Sequence, residues 1–239
     1  MSAHFGLDIG SYSIKLVQAE STRKGYKLVT FGEIINPVNL QSEAERDKIA
    51  LVETIKKLIS DCQVKVKNVV LAIPETEVYS QVVKFPALSK AELSSAIQFE
   101  AEQYIPVPLE EVQLEYLVLE TPLKGASQGK MEVLLIGAKK SFLNKIVDII
   151  EKSGLAPIVA ETEFFSLVRS LPIDAQKTAL VVDLGHRSTH MAVIKKGMIR
   201  FVRSLRTGGE AISRSTVSYT HLRAHETSLH LVCRLLLEK

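Results

Sequence analysis

Two stretches of this chain share one outline, and that sharing restricts its fold more than any other feature. "GLDIGSYSIKLV" (6–17) is an apolar strand ending in Asp8, a turn through Gly10, Ser11, Tyr12 and Ser13, and a second apolar strand. "ALVVDLGHRSTHMAVIKKG" (179–197) repeats it, with Asp183, Gly185, Arg187, Ser188 and Thr189 in the corresponding places. Each copy continues through a glycine-containing turn into a third strand, "YKLVTFGEI" in the first and "MIRFVRSL" in the second. Internal repetition on this scale points to two related halves.

Between the copies the pattern changes. Ser42 and Glu45 have capping-box spacing, which predicts a helix carrying Val52, Ile55 and Ile59 on one face. "NVVLAIP" then reads as a strand buried on both faces. From 78 onward the order is strand, helix, strand, strand: "VYSQVVKFP", a helix opened by a Ser89/Glu92 box and ended by Pro106 and Pro108, "VQLEYLVLE" and "MEVLLIGAK". This piece reads as a small inserted subdomain. A helix over "SFLNKIVDIIEKSG" follows, with Gly154 where a left-handed C-terminal cap belongs. "LAPIVAE" and "TEFFSLVRSL" return as strand and helix to the first layer.

An Asp-x-Gly at one strand end is weak evidence, since glycine supplies backbone freedom in any turn. Two copies in one frame, each followed by hydroxyls, point to phosphate. Phosphate binding needs exposed backbone N–H groups and a glycine that allows close approach. Ser11, Ser13, Ser188 and Thr189 can add hydroxyl donors, and Lys15 a point charge. Mg²⁺ takes one or two carboxylates, keeps several waters and is completed by phosphate oxygens, a role open to Asp8 and Asp183. Neither a Walker A loop nor a G-x-G-x-x-G fingerprint is present.

Charge and composition exclude other classes. The 239 residues carry 30 basic and 27 acidic side chains, a net +3 with no basic run, which argues against nucleic acid. No apolar stretch approaches the roughly 18 residues of a membrane span, and the N-terminus lacks the basic opening and apolar segment of a signal peptide. Two isolated cysteines, Cys62 and Cys233, fit a reducing, cytoplasmic compartment.

"LDIGSYSIK" and "VVDLGHRST" resemble the two phosphate loops of the nucleotide-binding fold shared by actin, hexokinase and ATP-dependent chaperones. Within that superfamily, "SSAIQFEAEQYIPVPLEEVQLEY" and "RTGGEAIS" (206–213) resemble the PilM family of type IV pilus assembly. The resemblance implies an α/β, actin-like (ribonuclease H-like) fold of two halves, with ATP and Mg²⁺ held between them. It assigns Asp8, Gly10, Ser11 and Lys15 to the first phosphate loop and Asp183, Gly185, Ser188 and Thr189 to the second. Gly208 and Gly209 are expected near the nucleotide, and Glu163, or less favourably Glu161, at the attacking water of at most a slow ATPase. It also implies a partner: the N-terminal cytoplasmic peptide of an inner-membrane PilN-like protein, with Tyr104, Ile105, Pro106, Val107 and Pro108 as apolar anchors. The protein is then expected at the inner membrane through that partner. A sugar-type kinase or an FtsA-like division protein on the same fold are the alternatives. No substrate-facing base supports the kinase.

The expected organisation is a first half at 1–77, the insert at 78–155, a return at 156–178 and the start of a second half at 179–213. Past Ser213 the resemblance stops. "STVSYTHLRAHETSLHLVCRLLLEK" holds His221, His225 and His230, but the stretch reads as translated sequencing adapter rather than a metal site. Residues 214–239 are therefore expected to be a non-native tail on an incomplete second half.

Overall fold

Alternating apolar residues build the first sheet. β1 (Phe5–Ile9) buries Phe5, Leu7 and Ile9, and β2 (Ser13–Thr22) buries Ile14 and Leu16. With β3 (Gly25–Ile35), β4 (Asn68–Ile73) and β8 (Ala156–Thr162) they form a five-stranded sheet in the order β3-β2-β1-β4-β8. β1, β4 and β8 run parallel, and β2 and β3 are antiparallel to their neighbours. α1 (Glu45–Asp61) buries Leu51, Val52, Ile55 and Leu58. Each such side chain contributes about 1.5–3 kcal/mol relative to its exposed state. The computed structural model describes residues 3–121 and 130–220. The chain divides into Met1–Pro74 with Leu143–Leu167, and Glu75–Phe142 with Val168–Lys239.

The expected Ser42/Glu45 capping box does not form. α1 starts at Glu45 with Ala44 at the N-cap and no side-chain cap. Ser42 lies two residues too early, and its hydroxyl donates to Asp47 Oδ2 at 2.5 Å while accepting the Ala44 N–H at 3.3 Å. The loop before α1 is instead held by α3 (Lys140–Lys152). Lys145 Nζ donates to the carbonyls of Leu40 at 2.9 Å and Ser42 at 3.4 Å, and pairs with Glu43 at 2.8 Å. Lys145 and the loop that it holds lie in the same unit, which includes Leu143–Leu167. Gly154 closes α3 at φ +82°, as expected.

In the second unit, β5 (Val78–Pro86), β7 (Lys130–Lys139) and β6 (Val112–Glu120) form an antiparallel sheet in that order. α2 (Lys90–Tyr104) covers it, with Leu93, Ile97 and Ala101 in one cluster with Val83, Phe85, Val133 and Leu135. Here the capping box is real. Glu92 N–H donates to Ser89 Oγ at 3.4 Å, and Ser89 N–H to Glu92 Oε2 at 2.8 Å. The second-half strands, β9 (Thr178–Leu184), β10 (Thr189–Lys195) and β11 (Met198–Leu205), form a three-stranded sheet ordered β11-β10-β9.

α5 (Gly209–Thr220) continues across Ser213 without a break. Arg200 on β11 joins the two sheets of this unit through Glu132 at 2.5 Å and Glu120 at 3.4 Å. The insert strands and the second-half strands fall in the same compact unit. Among the described residues no helix is long and apolar enough to cross a membrane.

Candidate functional site

β1 and β2 pair Asp8 with Lys15 and Ile9 with Ile14, leaving Gly10–Ser13 as the connecting turn. Gly10 N–H donates to the Ser13 carbonyl at 3.0 Å, and a Cβ on Gly10 would lie 2.9 Å from that oxygen. Glycine is thus the residue the turn admits. A group that the sequence reading missed completes the closure. Asn36, buried after β3, donates Nδ2 to the Gly10 carbonyl at 2.8 Å, while its N–H donates to the Tyr12 carbonyl at 2.8 Å. Ser11 and Lys15 are exposed, whereas Ser13 is buried.

The same sheet places further charge beside this turn. Strand register puts Glu33, Lys15, Asp8, Ala72 and Glu161 in one row across all five strands. Partners in register share a face, so Lys15 and Asp8 are cross-strand neighbours, and Glu161 lies one residue from the end of a parallel strand two places away. Carboxylates at the C-terminal ends of parallel strands occupy the usual ligand-facing position of open α/β sheets. Glu161 Oε1 accepts from the Ser166 hydroxyl at 2.7 Å. Glu163 is the first residue of α4 (Glu163–Ser170) and lies outside that row.

The second turn reproduces the first in register. Asp183 pairs with His190 and Leu184 with Thr189, and Gly185 N–H donates to the Ser188 carbonyl at 2.9 Å. His190 therefore stands where the first copy has Lys15. It is 3% exposed and spans two hydroxyls, with Nε2 2.8 Å from Ser188 Oγ and Nδ1 2.9 Å from Ser204 Oγ. Burial pushes its pKa below the ordinary imidazole value, against an opposing pull from Asp183. Thr189 Oγ1 donates to the Thr207 carbonyl at 2.6 Å. The expected hydroxyls of this turn are thus engaged in holding it.

Gly208 and Gly209 are brought against this turn. Gly209 N–H donates to the Gly185 carbonyl and Glu210 N–H to the His186 carbonyl, both at 2.9 Å. A Cβ on Gly208 would lie 2.5 Å from the His186 oxygen and 2.6 Å from that of Gly185. The first amides of α5 are consequently bonded to the loop. Glu210 also faces His186 at 3.7 Å, Arg187 at 3.5 Å and Arg214 at 2.5 Å. No sequence signal marked Asn36, His190 or Ser204, because their partners lie on other strands or turns.

At the end of α2, the five expected anchors separate. Ile105 is 7% exposed and belongs to the core of its unit, and Val107 packs against that core. Tyr104, Pro106 and Pro108 remain exposed. Among the described residues no group of three or more His, Cys, Asp or Glu is placed to hold a metal ion, and the three tail histidines lie outside those residues.

Residues 6–230 match the family described as "Type IV pilus assembly protein PilM". Among solved structures, the chain is similar to a PilM-PilN type IV pilus biogenesis complex, with a TM-score of 0.78 and 25% identity over 92% of this chain. It spans 66% of that relative's length. The cytoplasmic domain of EpsL, an inner-membrane component of the type II secretion system of Vibrio cholerae, gives a TM-score of 0.57 at 13% identity, over 94% of this chain and 79% of the other. The ethanolamine utilization protein EutJ of Carboxydothermus hydrogenoformans gives 0.53 at 16%, over 90% and 55%. The last two likenesses concern the fold.

Proposed function

Because this chain belongs to the PilM family of type IV pilus assembly proteins, we propose that it serves as a cytoplasmic, actin-like scaffold that binds ATP and docks the N-terminal cytoplasmic peptide of a PilN-like inner-membrane protein. The observation that carries the reading is the likeness to a PilM-PilN complex over 92% of this chain. Association with the inner membrane then comes through the partner.

For the nucleotide, the support is the pair of glycine turns closed by the same N–H to carbonyl bond. Asp8 and Asp183 would hold Mg²⁺ through water, the donor set that this ion uses when phosphate completes its shell. Gly10 admits close approach, exposed Ser11 offers a hydroxyl and Lys15 a cation. Gly185, Ser188 and Thr189 form the second loop, which Gly208 and Gly209 brace through the backbone. Bound ATP supplies phosphate charge that these residues recognise, and a ligand of that kind can act by biasing a conformational equilibrium. The role needs binding rather than turnover. For any slow hydrolysis, Glu163 is the expected water-orienting residue, and Glu161 the acid in register with Asp8.

Two titrations on the full chain test the reading. A fluorescent ATP analogue should bind with Mg²⁺ and lose at least tenfold affinity with EDTA or in Asp8→Asn and Asp183→Asn. The partner's N-terminal peptide should bind by calorimetry and weaken in Tyr104→Ala. A folded chain that binds neither would overturn the proposal.

A further inference from the structure

β2 and β3 outrun the rest of their sheet. β1 pairs with β2 only as far as Val17, and beyond it the two strands continue as a two-stranded arm closed by the turn after Thr22. Every residue from Ala19 to Val29 is exposed.

The two faces of the arm are unlike. Register places Val17 opposite Phe31, Ala19 opposite Leu28 and Ser21 opposite Tyr26, and the shift beside Ala19 leaves Val29 unopposed. Partners in register share a face, so these residues make one stripe. Tyr26 is 84% exposed, Phe31 71%, Leu28 54% and Val17 49%. The opposite face pairs Gln18 with Thr30 and Glu20 with Lys27, and Thr30 donates to the Cys62 carbonyl just past α1 at 3.0 Å. Side chains alternate along a strand, so this polar face lies on the same side as buried Ile14 and Leu16. The apolar face is therefore the one left to solvent, the reverse of what core packing asks.

Charge collects at the tip. Arg23 and Lys24 lie in the turn and Lys27 just after it, and among the described residues no side chain forms an ion pair or hydrogen bond with any of the three. Glu20 is the one acid between Val17 and Val29.

We propose that this arm lies on a bilayer surface rich in anionic lipid, with its stripe in the headgroup region and Arg23, Lys24 and Lys27 against lipid phosphates. Aromatic and aliphatic side chains beside cations partition to that interface. Long basic side chains reach past an apolar face to the headgroups. Each cation near such a surface is worth about fivefold in binding, so three give on the order of a hundredfold. Weak anchors need two signals, and the arm carries both. An added strand from another protein is disfavoured, because the bulge at Val29 and the charge of Lys27 interrupt the open edge of β3. The contact is separate from peptide docking at 104–108 and does not rest on it.

The probe is a vesicle of equal parts phosphatidylglycerol and phosphatidylcholine, compared with phosphatidylcholine alone. Co-sedimentation should show the full chain binding the anionic vesicle at least tenfold better. Arg23→Glu, Lys24→Glu and Phe31→Ser should each weaken that binding about fivefold or more, with native circular dichroism and melting midpoint. Lys65→Glu, the same charge change elsewhere in the first unit, should lose far less. The chain contains no tryptophan, so Tyr26→Trp gives a single reporter on the stripe. Its emission should shift to the blue on the anionic vesicle and be quenched by brominated lipid. Equal binding of the two vesicles, an unshifted reporter, or a loss in Lys65→Glu as large as in Arg23→Glu would overturn the proposal. So would a dimer in vesicle-free solution that Phe31→Ser dissolves, which would assign the stripe to a second copy of the chain.

Discussion

Asn36 donates its side-chain amide to the carbonyl of Gly10 at 2.8 Å, across 26 residues of sequence. One buried amide thereby fixes the turn proposed as the first phosphate loop, and its Oδ1 accepts the Val38 N–H at 3.1 Å. Asn36→Ala leaves both backbone groups unpaired in a partly buried place, at about 1–3 kcal/mol. Urea denaturation should show that loss, and the ATP analogue should bind more weakly at full occupancy of the folded state. Unchanged stability would mean that the turn holds itself.

Gly208→Ala should be among the most damaging single-atom additions to the second unit. The new methyl meets two backbone oxygens that carry the Gly185 turn and cannot swing aside. Overpacking of this kind costs about 1–3 kcal/mol. A lowered melting midpoint checks it, and Gly25→Ala, whose Cβ would meet nothing within 4 Å, provides a control for lost backbone freedom at its φ of +126°.

His190 makes stability depend on pH in a definite direction. Its folded pKa is pushed down by burial, so the unfolded chain takes up the proton first as pH falls. The contribution is complete above the unfolded value of about 6.5 and is lost as pH drops through the folded pKa. Urea midpoints measured from pH 8 to pH 5 should decline below about 6.5, and His190→Gln should flatten that decline. A profile identical to the parent would remove His190 as the cause.

Lys145→Met should loosen the segment before α1. The Lys145 side chain is 7% exposed, and its ammonium serves two carbonyls besides Glu43. Its removal leaves those acceptors short of a donor, at about 1–3 kcal/mol. Hydrogen exchange should rise at residues 40–48 more than in β4. Glu43, whose carboxyl the Lys145 hydrogen bond holds below its ordinary pKa, is largely exposed, so Glu43→Gln should cost little by comparison.

Much of this arrangement was legible in the sequence because its causes are local. The repeated strand–turn–strand outline, the Ser89/Glu92 box and the cap at Gly154 rest on residues a few positions apart. The Ser42/Glu45 box had the same spacing, but Asp47 takes the Ser42 hydroxyl and the helix begins later. Local spacing cannot rank two competing acceptors. Asn36, His190 and Arg200 act on partners 26, 14 and 68 residues away, which no window along the chain reveals. Lys145 likewise reaches a loop more than 100 residues upstream.

The matching registers make the two turns superimposable units. A shift of 175 residues carries Asp8 onto Asp183, Gly10 onto Gly185 and Ser13 onto Ser188. Such agreement is the mark of one structural unit used twice. Position 15 and its counterpart at 190 are where the two turns differ, one carrying an exposed lysine and the other a buried imidazole held between two serine hydroxyls. The two turns are thus not interchangeable, and a lysine placed at position 190 would bring a charge into a buried site whose two hydroxyls are arranged for an imidazole.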